Sequence, residues 1–392
     1  MRLLQRYVLL ELCRVFVLLL SILTVLLVFV GVVREVSESG LGPLQVLQIL
    51  PFVVPSLLPF TIPATLLLSV CVVYGRISGD QEITAAKAAG INVLSLLWPS
   101  FVLAISLSIA SLFLMDQAIP WAVENIQRTV AAAIEEIFFD VLRTNYRFAD
   151  PDRGYSVTVM GMRGKTLIKP TFHYAPRGRS ATTIQAEKAT LEFDLDNRQV
   201  VLDLTHAYLD IPGQNKGWWP SVREEFPLPR EISQPRPRHM TVRDIRQRRR
   251  EIAQRAAAAE ERTEIDAALA LAVGNFDRFV EEDFVAYRRQ MEYDEGDIAK
   301  LTTEIHSRFA MSTSCFFFAL LGAPFSILQG RRQFLTSFFL CFMPILMIYY
   351  PLALLMMNLC KTGIADPTYA MWVGNAVLLV AGLIVVRKVL RH

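Results

Sequence analysis

The middle of the chain contains no cysteine. All five (Cys13, Cys71, Cys315, Cys341, Cys360) lie in or beside apolar stretches, so residues 116–305 have neither a disulfide framework nor a cysteine-type zinc site. Histidines are as sparse: His173, His206, His239, His306 and His392 stand without metal-ligand spacing, and no metal or cofactor is expected. The formal charge is only +3, so no global basic field argues for a nucleic-acid partner. Acidic residues are rare within the apolar stretches, which leaves no obvious proton relay. Gly164-Lys165-Thr166 looks like the tail of a phosphate-binding loop, but Val159 stands where the first glycine belongs and a strand rather than a helix follows. There is no Gly-x-Ser-x-Gly elbow either. The chain is not expected to be an enzyme, and any work it does across a membrane draws its energy from a partner.

Apolar length is what the chain does have. Hydrophobic residues make up 53% of its 392 residues, mean hydropathy is +0.36, and the apolar residues gather at the two ends. A membrane span needs roughly 20 mostly apolar residues to cross about 30 Å of hydrocarbon. Six stretches qualify: Val15–Val33, a proline-rich one within Val46–Tyr74, Val93–Met115, Phe309–Leu328, Phe334–Met357 and Tyr369–Val386. The first is too long for a signal-peptide core, and no small-residue cleavage site follows Val33, so it reads as an uncleaved anchor. Arg2, Arg6, Arg14, Arg76, Lys87, Arg331, Arg332, Arg387, Lys388 and Arg391 all fall on one side of the six spans. By the positive-inside rule that side is cytoplasmic, both termini included, and residues 116–305 lie outside. The Arg246, Arg248, Arg249, Arg250 cluster runs against this, but long loops cross regardless of charge. The cluster reads first as a solvated helix face and second as a phosphate contact. Pro51, Pro55, Pro59 and Pro63 share one helical face, which fits a kinked span or, less simply, a hinge.

Between the spans, residues 155–211 alternate like strands: Tyr155–Met160, Lys165–Ile168, Thr182–Ala186, Ala189–Leu195, Val200–Leu204 and Ala207–Ile211. Short strands at this spacing predict a sandwich or open barrel-like β domain. Pro220–Pro237 reads as extended. Thr241–Glu304 is Ala/Glu/Arg-rich and without proline, which predicts two helices broken near Gly274-Asn275. Leu269, Leu271, Phe276, Phe279, Phe284 and Tyr287 offer them an apolar face.

The segment between the second and third spans carries the strongest signal. Ser78 or Asp80 can cap a helix, Glu82 suits its first turn, the run of alanines keeps it slim, and Gly90 stops it. A small-sided helix of this kind can insert into a groove on another protein. Gly75-Arg-Ile-Ser-Gly-Asp-Gln-Glu-Ile-Thr-Ala-Ala-Lys-Ala-Ala-Gly-Ile91, with Glu304-Ile-His-Ser-Arg-Phe-Ala310 and Gly322-Ala-Pro-Phe-Ser326, resembles the LptF/LptG (YjgP/YjgQ) permeases of the lipopolysaccharide export ABC transporter. The layout agrees: three spans, an outer β domain, three spans.

The resemblance implies a polytopic α-helical membrane protein of six spans with an extracytoplasmic β-jellyroll-like domain, in the bacterial inner membrane. It implies a permease that pairs with a paralogous permease and a cytoplasmic ATPase dimer. Together these extract lipopolysaccharide, or a related anionic glycolipid, and pass it to a periplasmic bridge protein. The coupling helix falls at about residues 77–90. Asp80, Glu82 and Lys87 match the family's charged coupling positions, Glu82 most firmly, and Arg76 more weakly. The expected division is residues 1–115, the first transmembrane half; 116–240, the β domain; 241–304, a helical insertion longer than the family's usual connection; and 305–392, the second half. Arg34, at the outer end of the first span, could meet a lipid phosphate, although snorkelling explains it as well. Glu304 and Arg308 are spaced to pair along a helix and fix the start of the fourth span, with His306 structural. Two rival readings remain: an ABC-type permease that transmits force without moving lipid, and a membrane-anchored assembly or sensor protein without an ATPase.

Overall fold

The computed structural model describes residues 3–39, 43–150, 155–174, 182–194, 199–210, 217–227, 236–274, 282–329 and 334–391. They group into two units, Met1–Leu41 with Leu50–Ala122 and Arg236–His392, and Gly42–Ile49 with Val123–Pro235.

The first unit is helical. Its elements are α1 (Leu3–Ser39), α2 (Pro43–Gly79), α3 (Glu82–Ala88), α4 (Val93–Phe113), the start of α5 (Ile119–Asn145), α6 (Val242–Val273), α7 (Glu282–Leu328), α8 (Phe334–Pro344), α9 (Tyr350–Lys361), α10 (Pro367–Ala370) and α11 (Val373–Arg391). π-helical turns join α4 to α5 at Leu114–Ala118 and α8 to α9 at Ile345–Tyr349. Among the described residues six helical segments are long and apolar enough to cross a bilayer: Leu3–Gly31, Pro51–Gly79, Val93–Thr129, Ala286–Leu328, Phe338–Lys361 and Pro367–Arg391. The four prolines lie inside α2, which runs unbroken through them. Each proline deprives the carbonyl four residues earlier of its donor. The proline face turns inward along the helix, from exposed Pro51 through half-buried Pro55 to buried Pro59 and Pro63.

α7 is the central helix. Its 47 residues amount to about 70 Å at 1.5 Å per residue, more than twice the thickness of the hydrocarbon. Its apolar half packs against α4 and α11. Small residues set these distances. A Cβ on Gly322 would sit 2.6 Å from Leu67 Cδ1 of α2, and one on Gly382 of α11 would sit 2.9 Å from Leu320 Cγ. Without water to drive helices together, such close approach is what packs spans against each other.

The other half of α7 runs without a break through Glu304 and forms a hairpin with α6. Thr241 and Asp244 form a capping box that starts α6, and Gly274, at φ 73°, ends it. The contact begins with Ile245, Leu301 and Ile305. Further along, α6 turns inward half-buried Ala256, Ala259, Thr263 and Ala267, then buried Ala270. Leu269 and Leu271, expected on the packed face, are 54% and 58% exposed. Alanines let the two helices lie close, and the leucines fall on the outer side. Phe276 and Phe279 lie outside the described residues, as does the side chain of Phe284.

The second unit is an antiparallel sheet: β1 (Arg147–Asp150), β2 (Tyr155–Thr158), β3 (Gly161–Arg163), β4 (Thr166–Ile168), β5 (Thr171–Tyr174), β6 (Thr182–Asp194), β7 (Gln199–Asp210) and β8 (Gly217–Pro227). β4 and β5 both pair with β6, while β3 pairs with β4 and β2 with β5. β4 with β5, and β2 with β3, are thus each one strand interrupted by a crease. The crease crosses the sheet through Lys169 (φ 47°) and His206 (φ 50°), with Glu187 beside His206 and Pro220 across from it. Along β6 the buried residues are Ala186, Ala189 and Leu191; along β7 they are Val201, Leu202, Leu204 and Ala207. Each series steps by three at the crease, where strand alternation alone would step by two. The extra residue bends each strand while the pairing continues. Both halves therefore turn their apolar residues onto one core with Phe139 and Leu142 of α5. The separate strands expected on either side of 187–188 and of 205–206 are two continuous ones, and β1, β3, β5 and β8 were not expected from the pattern. Pro220 is tolerated because β8, which among the described residues pairs only with β7, is an edge strand.

Gly322→Leu is expected to destabilise the bundle by about 1–3 kcal/mol, the usual cost of overpacking, read as a lower melting temperature in detergent. Gly296→Ala, where an added Cβ meets nothing within 4 Å, should leave melting unchanged or raise it, since alanine favours helix.

Candidate functional site

The loop between α2 and α4 is built on α2's last turns. Tyr74 is fully buried and donates its hydroxyl to the Leu96 carbonyl of α4 at 2.9 Å. Ser78 does not cap α3; its Oγ donates to the Ile327 carbonyl at the end of α7, at 3.0 Å. Gln81 is the residue before α3, with φ 61° and no side-chain cap, so Asp80 does not serve as the cap either. α3 ends in a Schellman turn, Ile91 N donating to Ala86 O and Gly90 N to Lys87 O, both at 2.9 Å. That turn needs the φ of 77° found at Gly90, a value that favours glycine. Asn92 Oδ1 then caps α4 by accepting from Leu94 N.

This geometry divides the segment into anchor and surface. Ile77, Ile83 and Val93 are buried in a cluster with Val8 and Leu12 of α1 and Ala319 and Ala323 of α7. Gln5 of α1 adds Nε2 bonds to Ser95 O and Oγ, at 3.0 and 2.9 Å. Asp80, Glu82, Thr84 and Ala85 are exposed, and Lys87 is half-buried. Among the described residues Asp80, Glu82 and Lys87 form no ion pair. Arg76 differs: its guanidinium is 3.0 Å from Glu11 of α1, so it ties α2 to α1. Arg34 lies in α1, but its side chain is outside the described residues.

A second cluster lies at the other end of the spans. Arg308 is 3% exposed and reaches in four directions. Its Nε meets Glu304 Oε1 at 3.3 Å and its Nη1 meets Asp116 Oδ1 at 3.4 Å. Its Nη2 donates to the carbonyls of Pro237 and Arg238, each at 3.1 Å. Asp116 Oδ1 also accepts from Val242 N at 2.6 Å, at the start of α6. Asp116 stands in the π turn that ends α4. The pattern of residues pointed to Glu304 and Arg308 but not to Asp116, whose only mark was to be an acid closing an apolar stretch. His239 lies in the short 3-10 turn Pro237–His239, which supplies the carbonyls that Arg308 binds. Burial, with Arg238, Arg236 and Arg308 nearby, lowers its pKa to about 4, so its ring is neutral at pH 7.

Among the described residues no three His, Cys, Asp or Glu side chains gather to hold a metal ion. The arrangement is mechanical: an anchored loop with free carboxylates at one end of the spans, and a buried charge junction at the other. A family model described as lipopolysaccharide export system permease LptF/LptG matches residues 6–388. The chain belongs to the LptF/LptG permease family. Compared with the curated proteins, it finds no match. As an LptF/LptG permease it is a multi-pass inner-membrane protein, a non-catalytic subunit of an ABC-type lipopolysaccharide export system, with the family's β-jellyroll-like domain between its membrane helices.

Arg308→Leu would leave Asp116 and Glu304 without their cation, and losing one partner of a buried ion pair costs about 3–5 kcal/mol. A large fall in melting temperature is expected, with a smaller one in Arg308→Lys. His239 contributes in the opposite charge state. Its folded pKa is depressed, so its contribution is whole above the ordinary imidazole value of about 6.5 and is lost as pH falls toward about 4. Melting should drop between pH 7 and pH 5, and His239→Gln should flatten that drop; an unchanged profile would refute it.

Proposed function

We propose that this chain extracts lipopolysaccharide or a related anionic glycolipid from the inner membrane and passes it to a periplasmic bridge protein. In this reading it pairs with a paralogous permease and is powered by a separate cytoplasmic ATPase dimer. Both termini and the 75–92 loop face the cytoplasm. Residues 116–240 form the periplasmic β domain, residues 241–304 the helical insertion, and residues 1–115 and 305–392 the two transmembrane halves.

The observation that carries this reading is the division of the α3 segment. Glu82 and Asp80 are exposed and unpaired among the described residues, as a surface that must receive another subunit requires. Behind them Ile83, Ser78, Tyr74 and Gln5 fasten the segment to α1, α4 and α7. Closure of the ATPase pulls α3, and the pull reaches several spans at once, which narrow a lipid-filled cavity. Glu82 docks the ATPase most directly, with Asp80 and Lys87 beside it. Arg76 acts from behind, through Glu11.

Glu82→Ala should leave melting unchanged. Losing one hydrogen bond to a charged group should weaken ATPase association roughly tenfold or more, read as lost co-purification and lower ATP turnover in liposomes. Undiminished association would remove the docking role of Glu82.

A further inference from the structure

The arginines at the foot of the α6–α7 hairpin have no role in the coupling segment, and they touch the Arg308 junction only through backbone carbonyls. Residues 236–255 contain eight arginines against Asp244 and Glu251, a net +6, twice the charge of the whole chain. The rest of α6, residues 256–273, contains four acids against Arg262, a net −3, while Asp294, Glu295 and Asp297 of α7 run back beside the arginine turns. Charge is sorted along α6. A helix whose charges serve only solvation mixes the two signs and pairs them one turn apart.

Pairing fails here as well. Arg255 lies 3.9 Å from Glu251, a pair beyond hydrogen-bond distance. Among the described residues Arg243, Arg246, Arg249 and Arg250 have no ion pair or hydrogen bond from their side chains. The nearby acids are engaged otherwise: Asp244 in the capping box, Glu251 accepting from Gln247, Asp294 from Gln290 and Asp297 from Lys300. Arg243, Arg246 and Arg250 are exposed and recur at i, i+3 and i+7. That spacing places them on the side of α6 opposite Ile245 and Ile252, which pack toward α7.

Position supplies the ligand. Asp116 closes the third apolar stretch, and its carboxylate binds Val242 N, so α6 starts where the spans leave the hydrocarbon. From there Arg250 is only about 12 Å along the helix at 1.5 Å per residue, within side-chain reach of a headgroup layer several ångströms deep. The acidic part of α6 stands farther off. We propose that Arg243, Arg246, Arg249 and Arg250 form a binding surface for the phosphates of anionic phospholipid headgroups, in the leaflet beside which α6 begins. Guanidinium forks match phosphate oxygens. Repulsion of the acidic end from the same surface holds the hairpin upright. The proposal does not depend on which lipid is exported.

The test uses the full chain in an uncharged detergent, titrated with short-chain phosphatidylglycerol, short-chain phosphatidylcholine and lipopolysaccharide. Each cation beside an anionic leaflet strengthens attachment roughly fivefold. The variant R243Q/R246Q/R249Q/R250Q should therefore bind phosphatidylglycerol at least tenfold more weakly, with phosphatidylcholine unaffected and the difference shrinking as salt is added. Glu260, Glu261 and Glu264 changed together to Gln should leave all three affinities unchanged, and melting curves check that both variants fold. Equal phosphatidylglycerol binding by the wild type and the arginine variant would overturn the proposal. Loss of lipopolysaccharide binding alone would also overturn it, assigning the arginines to the cargo instead.

Discussion

One buried guanidinium holds one end of the helical unit together. A charged arginine withdrawn from water is tolerable only with its charge matched and its donors filled. Arg308 meets that demand from three separate parts of the chain: Asp116 at the end of α4, Glu304 one turn back on α7, and the carbonyls of Pro237 and Arg238. Hydrophobic packing alone would let helices slide and turn against one another, because it has little direction. The fixed angles of a guanidinium fork set register. Asp116 extends the arrangement by accepting the first amide of α6, so the same charge that seats the fourth span also seats the hairpin. Asp116 lies 192 positions from Arg308, which is why neighbouring residues gave no hint of it.

What the amino-acid pattern disclosed depended on whether the cause was local. Six apolar segments, the stop at Gly274 and the Glu304–Arg308 spacing all arise from neighbours within a few turns. The capping of α3 was misjudged, because Ser78 is occupied by a carbonyl 249 residues away. The sheet shows the finer limit. Its alternation changes phase at Glu187 and at His206, and a change of phase looks like the end of a strand unless the partner strands are known to change at the same level. β8 escaped notice because Pro220 and Pro227 speak against a strand, and only its place at the edge of the sheet excuses them.

The α3 segment and the hairpin use opposite means to the same end. In α3 a single buried isoleucine anchors a short helix whose carboxylates stay free. In the hairpin a row of alanines holds two long helices close and the charged residues face outward. Both arrangements confine charged side chains to the exposed side of an element whose other side is committed to packing. α7 connects the two, accepting Ser78 at its last turn and supporting α6 along its first turns.

The crease in the β domain constrains how that domain can change in length. The added residue occurs at one level in β6 and in β7, which pair across it. Losing it from β7 alone would reverse the inward and outward faces of everything beyond that point in one strand while its neighbours stayed as they were. Leu202 and Leu204 would then turn to water, and Asp203 and Thr205 would turn to the core. Natural variation at this level should therefore arrive in several strands together or not at all, and the domain would drift by substitution rather than by insertion and deletion.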